Sequence, residues 1–110
     1  MTEQQFQTLC EQALTAIEDA VDACGADVDI ERSGAVLELA FEDGAKIIVN
    51  GNARVRQIWV AARAGGFHFV RSGERWVDTR SGESLASSMN RLVQAQAGVG
   101  GEPADGDGSA

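Results

Sequence analysis

The stretch DVDIERSGAVLELAFEDGAKIIVN, residues 27–50, decides the fold. Its side chains alternate with a period of two and the alternation breaks twice at turn dipeptides. Asp27, Asp29 and Glu31 share one face of an extended strand while Val28 and Ile30 take the other. Ser33-Gly34 is a hairpin turn. Leu37, Leu39 and Phe41 then alternate with Glu38, Ala40 and Glu42. Asp43-Gly44 turns the chain again into Lys46 to Asn50, with Ile47 and Val49 directed inward. Three short antiparallel strands, each half apolar, predict a sheet with one covered face.

The flanks say what covers it. Residues 3–24 carry a helical period, with Phe6, Leu9, Cys10, Ala13, Ile17, Ala20, Val21 and Cys24 as one apolar stripe and Gly25 as its stop. Three more strands are expected at Gln57 to Arg63, Phe67 to Arg71 and Arg75 to Asp78. After Arg80-Ser81-Gly82 the period becomes helical again, with Leu85, Met89, Leu92, Val93 and Gln96 on one side and Ser81 or Ser84 as the cap. From Gly98 the chain is Gly, Pro, Ala, Ser and Asp, a composition too polar to pack. The expectation is one domain over 1–97, a disordered tail over 98–110, and an α+β two-layer sandwich: a six-stranded antiparallel sheet covered on one face by the N- and C-terminal helices.

Charge is distributed unevenly. The first 31 residues hold Glu3, Glu11, Glu18, Asp19, Asp22, Asp27, Asp29 and Glu31 and no Lys or Arg, whereas the rest of the chain balances nine acids against nine bases, so the net charge of −8 belongs to the opening segment. Such a field attracts cations or a basic protein surface. Glu11, Glu18 and Asp22 are spaced to stack on the helix face opposite the apolar stripe, with Glu18, Asp19 and Asp22 all expected to face solvent. If that helix end lies beside the first strand, Glu18, Asp19, Asp22, Asp27, Asp29 and Glu31 form one patch. Carboxylates without imidazole or thiolate suit hard cations such as Fe²⁺, Fe³⁺, Mn²⁺ and Ca²⁺, bound weakly and at several places; a merely solvated acidic face is the plain alternative.

Other chemistries find little support. No apolar run approaches the roughly 20 residues of a membrane span, and the N-terminus lacks a signal peptide's basic start and apolar stretch, so a cytoplasmic protein is expected. Cys10 and Cys24 are about 20 Å apart on one helix at ~1.5 Å per residue, too far for a disulfide, and read as small buried side chains. There is no phosphate-binding glycine loop and no assembled Ser/His/Asp or Cys/His set. The arginines from Arg54 to Arg80 lack interleaved exposed aromatics, and with the overall negative charge they argue against nucleic acid. In the fourth strand, Ile58 and Val60 alternate with Gln57, Trp59, Ala61 and Arg63. That alternation sets Trp59 on the open face, where a tryptophan is a candidate binding anchor. His68 should share that face; Phe67, Phe69 and Trp76 belong to the core or its edge.

Taken in order, the acidic first helix, Phe41-Glu42-Asp43-Gly44, Lys46-Ile47-Ile48-Val49-Asn50, Gln57-Ile58-Trp59, Gly65-Gly66-Phe67-His68-Phe69 and Arg80-Ser81-Gly82-Glu83 resemble the bacterial frataxin family from Phe6 to about Gln96. The resemblance implies the same sandwich and a non-enzymatic, iron-binding protein that docks on the cysteine desulfurase and modulates iron–sulfur cluster assembly, as iron donor or iron-dependent regulator. It implies iron (Fe²⁺/Fe³⁺) held weakly at Glu18, Asp19, Asp22, Asp27, Asp29 and Glu31. Partner contacts to the desulfurase and the iron–sulfur scaffold protein would run through Glu18, Asp19, Asp22, Asn50, Gln57 and Trp59. A monomer is implied, with iron-driven oligomers an open alternative. A ferroxidase or iron store, and a pure docking module with incidental metal binding, are the competing readings. Two stretches depart from the family: after Asn50 it usually has Lys or Arg, then Gln and soon Pro, whereas here Gly51-Asn52-Ala53-Arg54 follows, and the end of the first helix has Ala23 and Gly25 where relatives often carry Asp.

Overall fold

Residues 1–97 are described by the computed structural model, so the tail expected over 98–110 lies outside the described residues. The elements are α1 (Glu3–Ala23), β1 (Val28–Ser33), β2 (Val36–Phe41), β3 (Lys46–Asn52), β4 (Gln57–Ala62), β5 (Gly65–Ser72), β6 (Arg75–Asp78) and α2 (Leu85–Ala97). The six strands form one antiparallel meander in chain order. Both helices pack on the same face, giving the two-layer α+β sandwich read from the sequence.

α1 begins with a capping box: Thr2 Oγ1 accepts from the Gln5 amide at 3.1 Å, and the Thr2 amide donates to Gln5 Oε1 at 2.8 Å, satisfying two donors at the helix entrance. Gly25, at φ 77°, follows the C-cap residue Cys24 and releases the chain toward β1. α2 starts behind Ser84, whose hydroxyl oxygen accepts from the Ser87 amide at 3.2 Å.

The buried stripe of α1 is Phe6, Cys10, Leu14, Ile17 and Val21. It is rotated from the expected one: Leu14 is fully buried, whereas Ala20 and Cys24 are exposed. Only Cys10 of the two free cysteines is a buried apolar side chain, and burial pushes its thiol pKa up. From the sheet, Leu37, Leu39, Phe41, Ile47, Val49, Ile58, Val60, Phe69 and Trp76 complete the core with Leu85, Met89, Leu92 and Val93 of α2. Trp76 meets Phe6 edge-on, with ring centroids 5.8 Å apart.

Several strand ends differ from expectation: β1 runs Val28–Ser33 rather than from Asp27 to Glu31, and β5 takes in Gly65, Gly66 and Ser72 beyond Phe67 to Arg71. β4 stops at Ala62, so Arg63 is not a fourth open-face residue; it sits in the turn, where its Nη2 is 2.8 Å from Asp43 Oδ2. β3 continues through Gly51 and Asn52, which pair with Ile58 and Gln57. Gly51 therefore occupies an inward position, with its amide donating to the Ala35 carbonyl at 2.8 Å. A Cβ there would lie 2.4 Å from Cys10 Sγ. The glycine of the departing loop is thus what lets α1 settle on the sheet. The turn beyond it closes on Asn52 Oδ1, which accepts from the Arg54 amide, and on Arg56, which takes φ 56° and donates to the Ala53 carbonyl.

Gly51→Ala should cost about 1–3 kcal/mol in denaturant unfolding, the range for overpacking a filled core. Combining it with Cys10→Ala should recover part of that loss, a non-additive coupling of about 0.5 kcal/mol or more; strictly additive costs would show that the two residues do not meet. A second prediction concerns Glu83, which accepts from Arg91 Nη2 at 2.8 Å and from Ser88 Oγ at 2.7 Å. These bonds, Arg91's foremost, hold its pKa below the ordinary 4.5. A depressed carboxylate contributes its stability above the unfolded pKa and loses it as pH falls through the folded one. The stability gap between the parent and Glu83→Gln should therefore be full near neutrality and close as pH drops below about 4.5. A pH-independent gap in urea midpoints would contradict the assignment.

Candidate functional site

The expected acidic patch divides in two. On β1, Val28 and Ile30 are half-buried against the core while Asp29 and Glu31 are exposed, so Asp29 and Glu31 project to the face away from the helices. Asp27 is exposed in the loop just before β1, and Asp19 and Asp22 are exposed on α1. Glu18 behaves otherwise. It does not face open solvent as expected but is half-buried against Arg32, whose Nη1 lies 2.6 Å from Glu18 Oε1 and 2.9 Å from Thr15 Oγ1. The other guanidinium nitrogen, Nη2, donates to the Glu11 carbonyl at 3.2 Å. Arg32 falls on the helix side of β1 because it continues the parity of Val28 and Ile30.

Among the described residues, no three His, Cys, Asp or Glu side chains converge closely enough to hold a metal ion. The side chains available to a cation are Asp19 and Asp22 on α1, Asp27 in the loop, and Asp29 and Glu31 on β1. They are solvated, arrayed along an edge, and suited to exchangeable contacts rather than a closed coordination sphere.

The bare face of the sheet forms the second part. Antiparallel register aligns Ser33, Val36, Asn50, Trp59 and His68 in one row across β1 to β5. Asn50, Gln57 and Trp59, placed apart by the sequence, are brought together here. Ile58 and Val60 are buried at 0% and 1% exposure while Trp59 is only half-buried, so the strand register is the expected one. The indole is held on two sides. Its Nε1 donates to Gln57 Oε1 at 2.6 Å, and its ring stacks on His68 with centroids 4.7 Å apart and planes 15° from parallel. The neighbouring row runs Glu31, Glu38, Ile48, Ala61, Gly66, with Lys46 Nζ 3.0 Å from Glu38 Oε2. The strand acids therefore belong to the same face as Trp59, and the helix acids to the edge.

Sequence reasoning missed Arg32 and the Glu38–Lys46 pair. The signal for Arg32 was present: it is the first base in the chain, at an even position of a strand whose even residues point to the helices.

A bare sheet face with a clamped tryptophan thus lies beside an acidic edge whose exposed carboxylates carry no ion pair among the described residues. Comparison with known proteins specifies the class. The frataxin-like domain family matches residues 1–99. The iron–sulfur cluster assembly protein CyaY of Cupriavidus taiwanensis is 49% identical over 103 residues, covering 90% of this chain and 93% of the relative. That of Bordetella parapertussis is 48% identical over 103 residues, with 90% and 94% covered. The frataxin from Psychromonas ingrahamii superposes with TM-score 0.84 at 31% identity over 89% of this chain and 93% of that one. Yeast frataxin shares the fold alone, at TM-score 0.70 and 21% identity over 82% of this chain and 86% of that one. The chain belongs to the frataxin-like family, whose curated bacterial relatives named above are iron–sulfur cluster assembly proteins.

Trp59→Ala should cost about 1–2 kcal/mol of stability, the value of one stack and one hydrogen bond. Ile58→Ala, which opens a core cavity, should cost about 2–5 kcal/mol. Thermal melts of the two variants check the order, and a larger loss for Trp59→Ala would place that ring in the core.

Proposed function

We propose that this chain is a non-enzymatic, cytoplasmic, iron-binding protein that docks on the cysteine desulfurase and modulates iron–sulfur cluster assembly. The observation that carries the reading is the uncompensated charge: Asp19, Asp22, Asp27, Asp29 and Glu31 are exposed and take part in none of the four ion pairs of the described residues. Nearby carboxylates that share solvent and lack a partner are relieved by a cation or by a basic surface. Iron, as Fe²⁺ or Fe³⁺, fits an all-oxygen donor set. Yeast frataxin, which has this fold, is found as a trimer complexed with ferrous iron; for this chain a monomer is the proposed resting form.

The clamped Trp59, with Gln57 and Asn50 on its own face, is the proposed contact for the desulfurase or the iron–sulfur scaffold protein, because a rigid aromatic loses little entropy when it is buried. A pure docking module remains a distinct second reading, favoured by the absence of converging ligands among the described residues. Titrating the desulfurase with and without iron separates the two, and oxygen uptake on adding Fe²⁺ separates both from a ferroxidase.

The charge-reversal test avoids Glu18, since a lysine there would repel Arg32 and open the contact between α1 and β1. Changing Asp19, Asp22, Asp29 and Glu31 together to Lys should abolish binding to the desulfurase and to Fe²⁺ while the melting temperature stays within a few degrees of the parent. Parental binding of both should weaken steeply with salt, because exposed charges are screened beyond about 10 Å at 0.1 M. Unchanged binding by the quadruple variant would end the proposal.

A further inference from the structure

The contact between Glu18 and Arg32 has a consequence for which acids a cation reaches. The Arg32 guanidinium sits against α1 and spends its donors on three acceptors of that helix: Glu18 Oε1 at 2.6 Å, Thr15 Oγ1 at 2.9 Å and the Glu11 carbonyl at 3.2 Å. Both partners of the ion pair are mostly covered, with side-chain exposures of 26% and 28%. The crevice that Arg32 lines on α1 is also bordered by Glu11 and Asp19. Its positive charge therefore stands where an incoming metal ion would need to approach Glu18.

We propose that Arg32 is a specificity-determining residue of the acidic edge, a resident cation that withholds Glu18 from metal ions and confines their binding to the carboxylates beyond it. The inference rests on the proposal above that this edge binds metal. Three features of the geometry support it. A guanidinium is charged at every physiological pH and cannot vacate the site by losing a proton. Its planar fork is matched to a carboxylate oxygen, a hydroxyl and a backbone carbonyl on a single helix face, so the bonds to Thr15 and Glu11 hold the guanidinium in place even when an ion competes for Glu18. Any divalent ion placed on Glu18 would also lie within a few ångström of the guanidinium and be repelled by it, whereas Asp22, a turn further along α1, and Asp29 and Glu31, on the other face of β1, are held in no ion pair among the described residues. Glu18 thus belongs to the machinery that joins α1 to β1, although by sequence it stands among the metal-binding acids.

The test reads each carboxylate directly. The full chain, labelled with ¹³C at its side-chain carboxyls, is titrated with Ca²⁺, an oxygen-seeking diamagnetic probe. In the parent, the carboxyl signals of Asp22, Asp29 and Glu31 should shift with Ca²⁺ while that of Glu18 stays fixed. In Arg32→Gln the Glu18 carboxyl should move with its neighbours, and the apparent affinity at Glu18 should rise about thirtyfold, the factor for removing one unit charge roughly 4 Å from a divalent ion in water. Arg32→Lys, which keeps the charge but not the fork, should behave as the parent, and it serves as the folded comparison if the Gln variant proves unstable. Glu18 titrating together with Asp22 in the parent would overturn the inference, as would a Glu18 signal that stays silent in Arg32→Gln while Asp22 responds. Silence at every carboxylate, Asp22 included, would instead overturn the metal reading and take the inference with it.

Discussion

Helices of 21 and 13 residues cover a single face of the six-stranded sheet, and that one-sided cover governs nearly everything else in the molecule. Because strand side chains alternate strictly, each pair of neighbours sends one residue into the core and leaves the other bare. The core then needs every inward position to be apolar and of the right size, down to Gly51, where even a methyl group would strike Cys10 Sγ at 2.4 Å. The outward positions are released from packing. Asn50, Gln57, Trp59 and His68 are free to be polar or aromatic because no helix arrives on their side.

This constraint also decides what was legible in the sequence. Period-two alternation carries its own check, since a register slip would have buried Trp59 and exposed Ile58, and the strands were readable for that reason. The stripe of α1 was harder. Its apolar residues occupy more than half the turn, so Ala13, Ala20 and Cys24 competed with Leu14 for the same face, and burial was settled by which side met the sheet. Asn50-Gly51-Asn52 reads as a loop by composition. It stays in β3 because inward packing against Cys10 requires a residue without a side chain, a tertiary demand that overrides strand propensity. The acidic edge was legible as a charge pattern, but its division was not. Whether a carboxylate is free depends on what faces it across space, and Arg32 reaches Glu18 from 14 residues away.

Electrostatics follows the same division. Asp43 with Arg63, Glu83 with Arg91 and Glu38 with Lys46 are paired at 2.8–3.0 Å, each between groups that face water. Pairs of this kind contribute at most about 1 kcal/mol and are weakened by salt. Residues 32–97 hold six acids against nine bases, so the sheet half is mildly basic while Asp19, Asp22, Asp27, Asp29 and Glu31 make the opening segment negative. A field with that direction orients an approaching basic surface before contact, which raises the rate of encounter more than the strength of the final complex.

The placement of β1 at the edge of the sheet joins the two parts of the surface. Asp29 and Glu31 look out from the same face as Trp59, three strand spacings away, or roughly 14 Å at ~4.8 Å each, whereas Asp19 and Asp22 sit on the helix layer. A rigid partner lying flat on the sheet meets Trp59 and the strand carboxylates together; a partner gripping the edge meets the strand and helix carboxylates together. Only an object that wraps around β1 reaches all three. Glu18 belongs to neither surface, because Arg32 holds it in the seam between the layers. The seam needs that contact: β1 is an outer strand whose inward apolar residues, Val28 and Ile30, are only half-buried, so hydrophobic burial alone secures it less well than the strands beneath the helices. Arg32 adds three hydrogen bonds to α1 there, one of them its ion pair with Glu18.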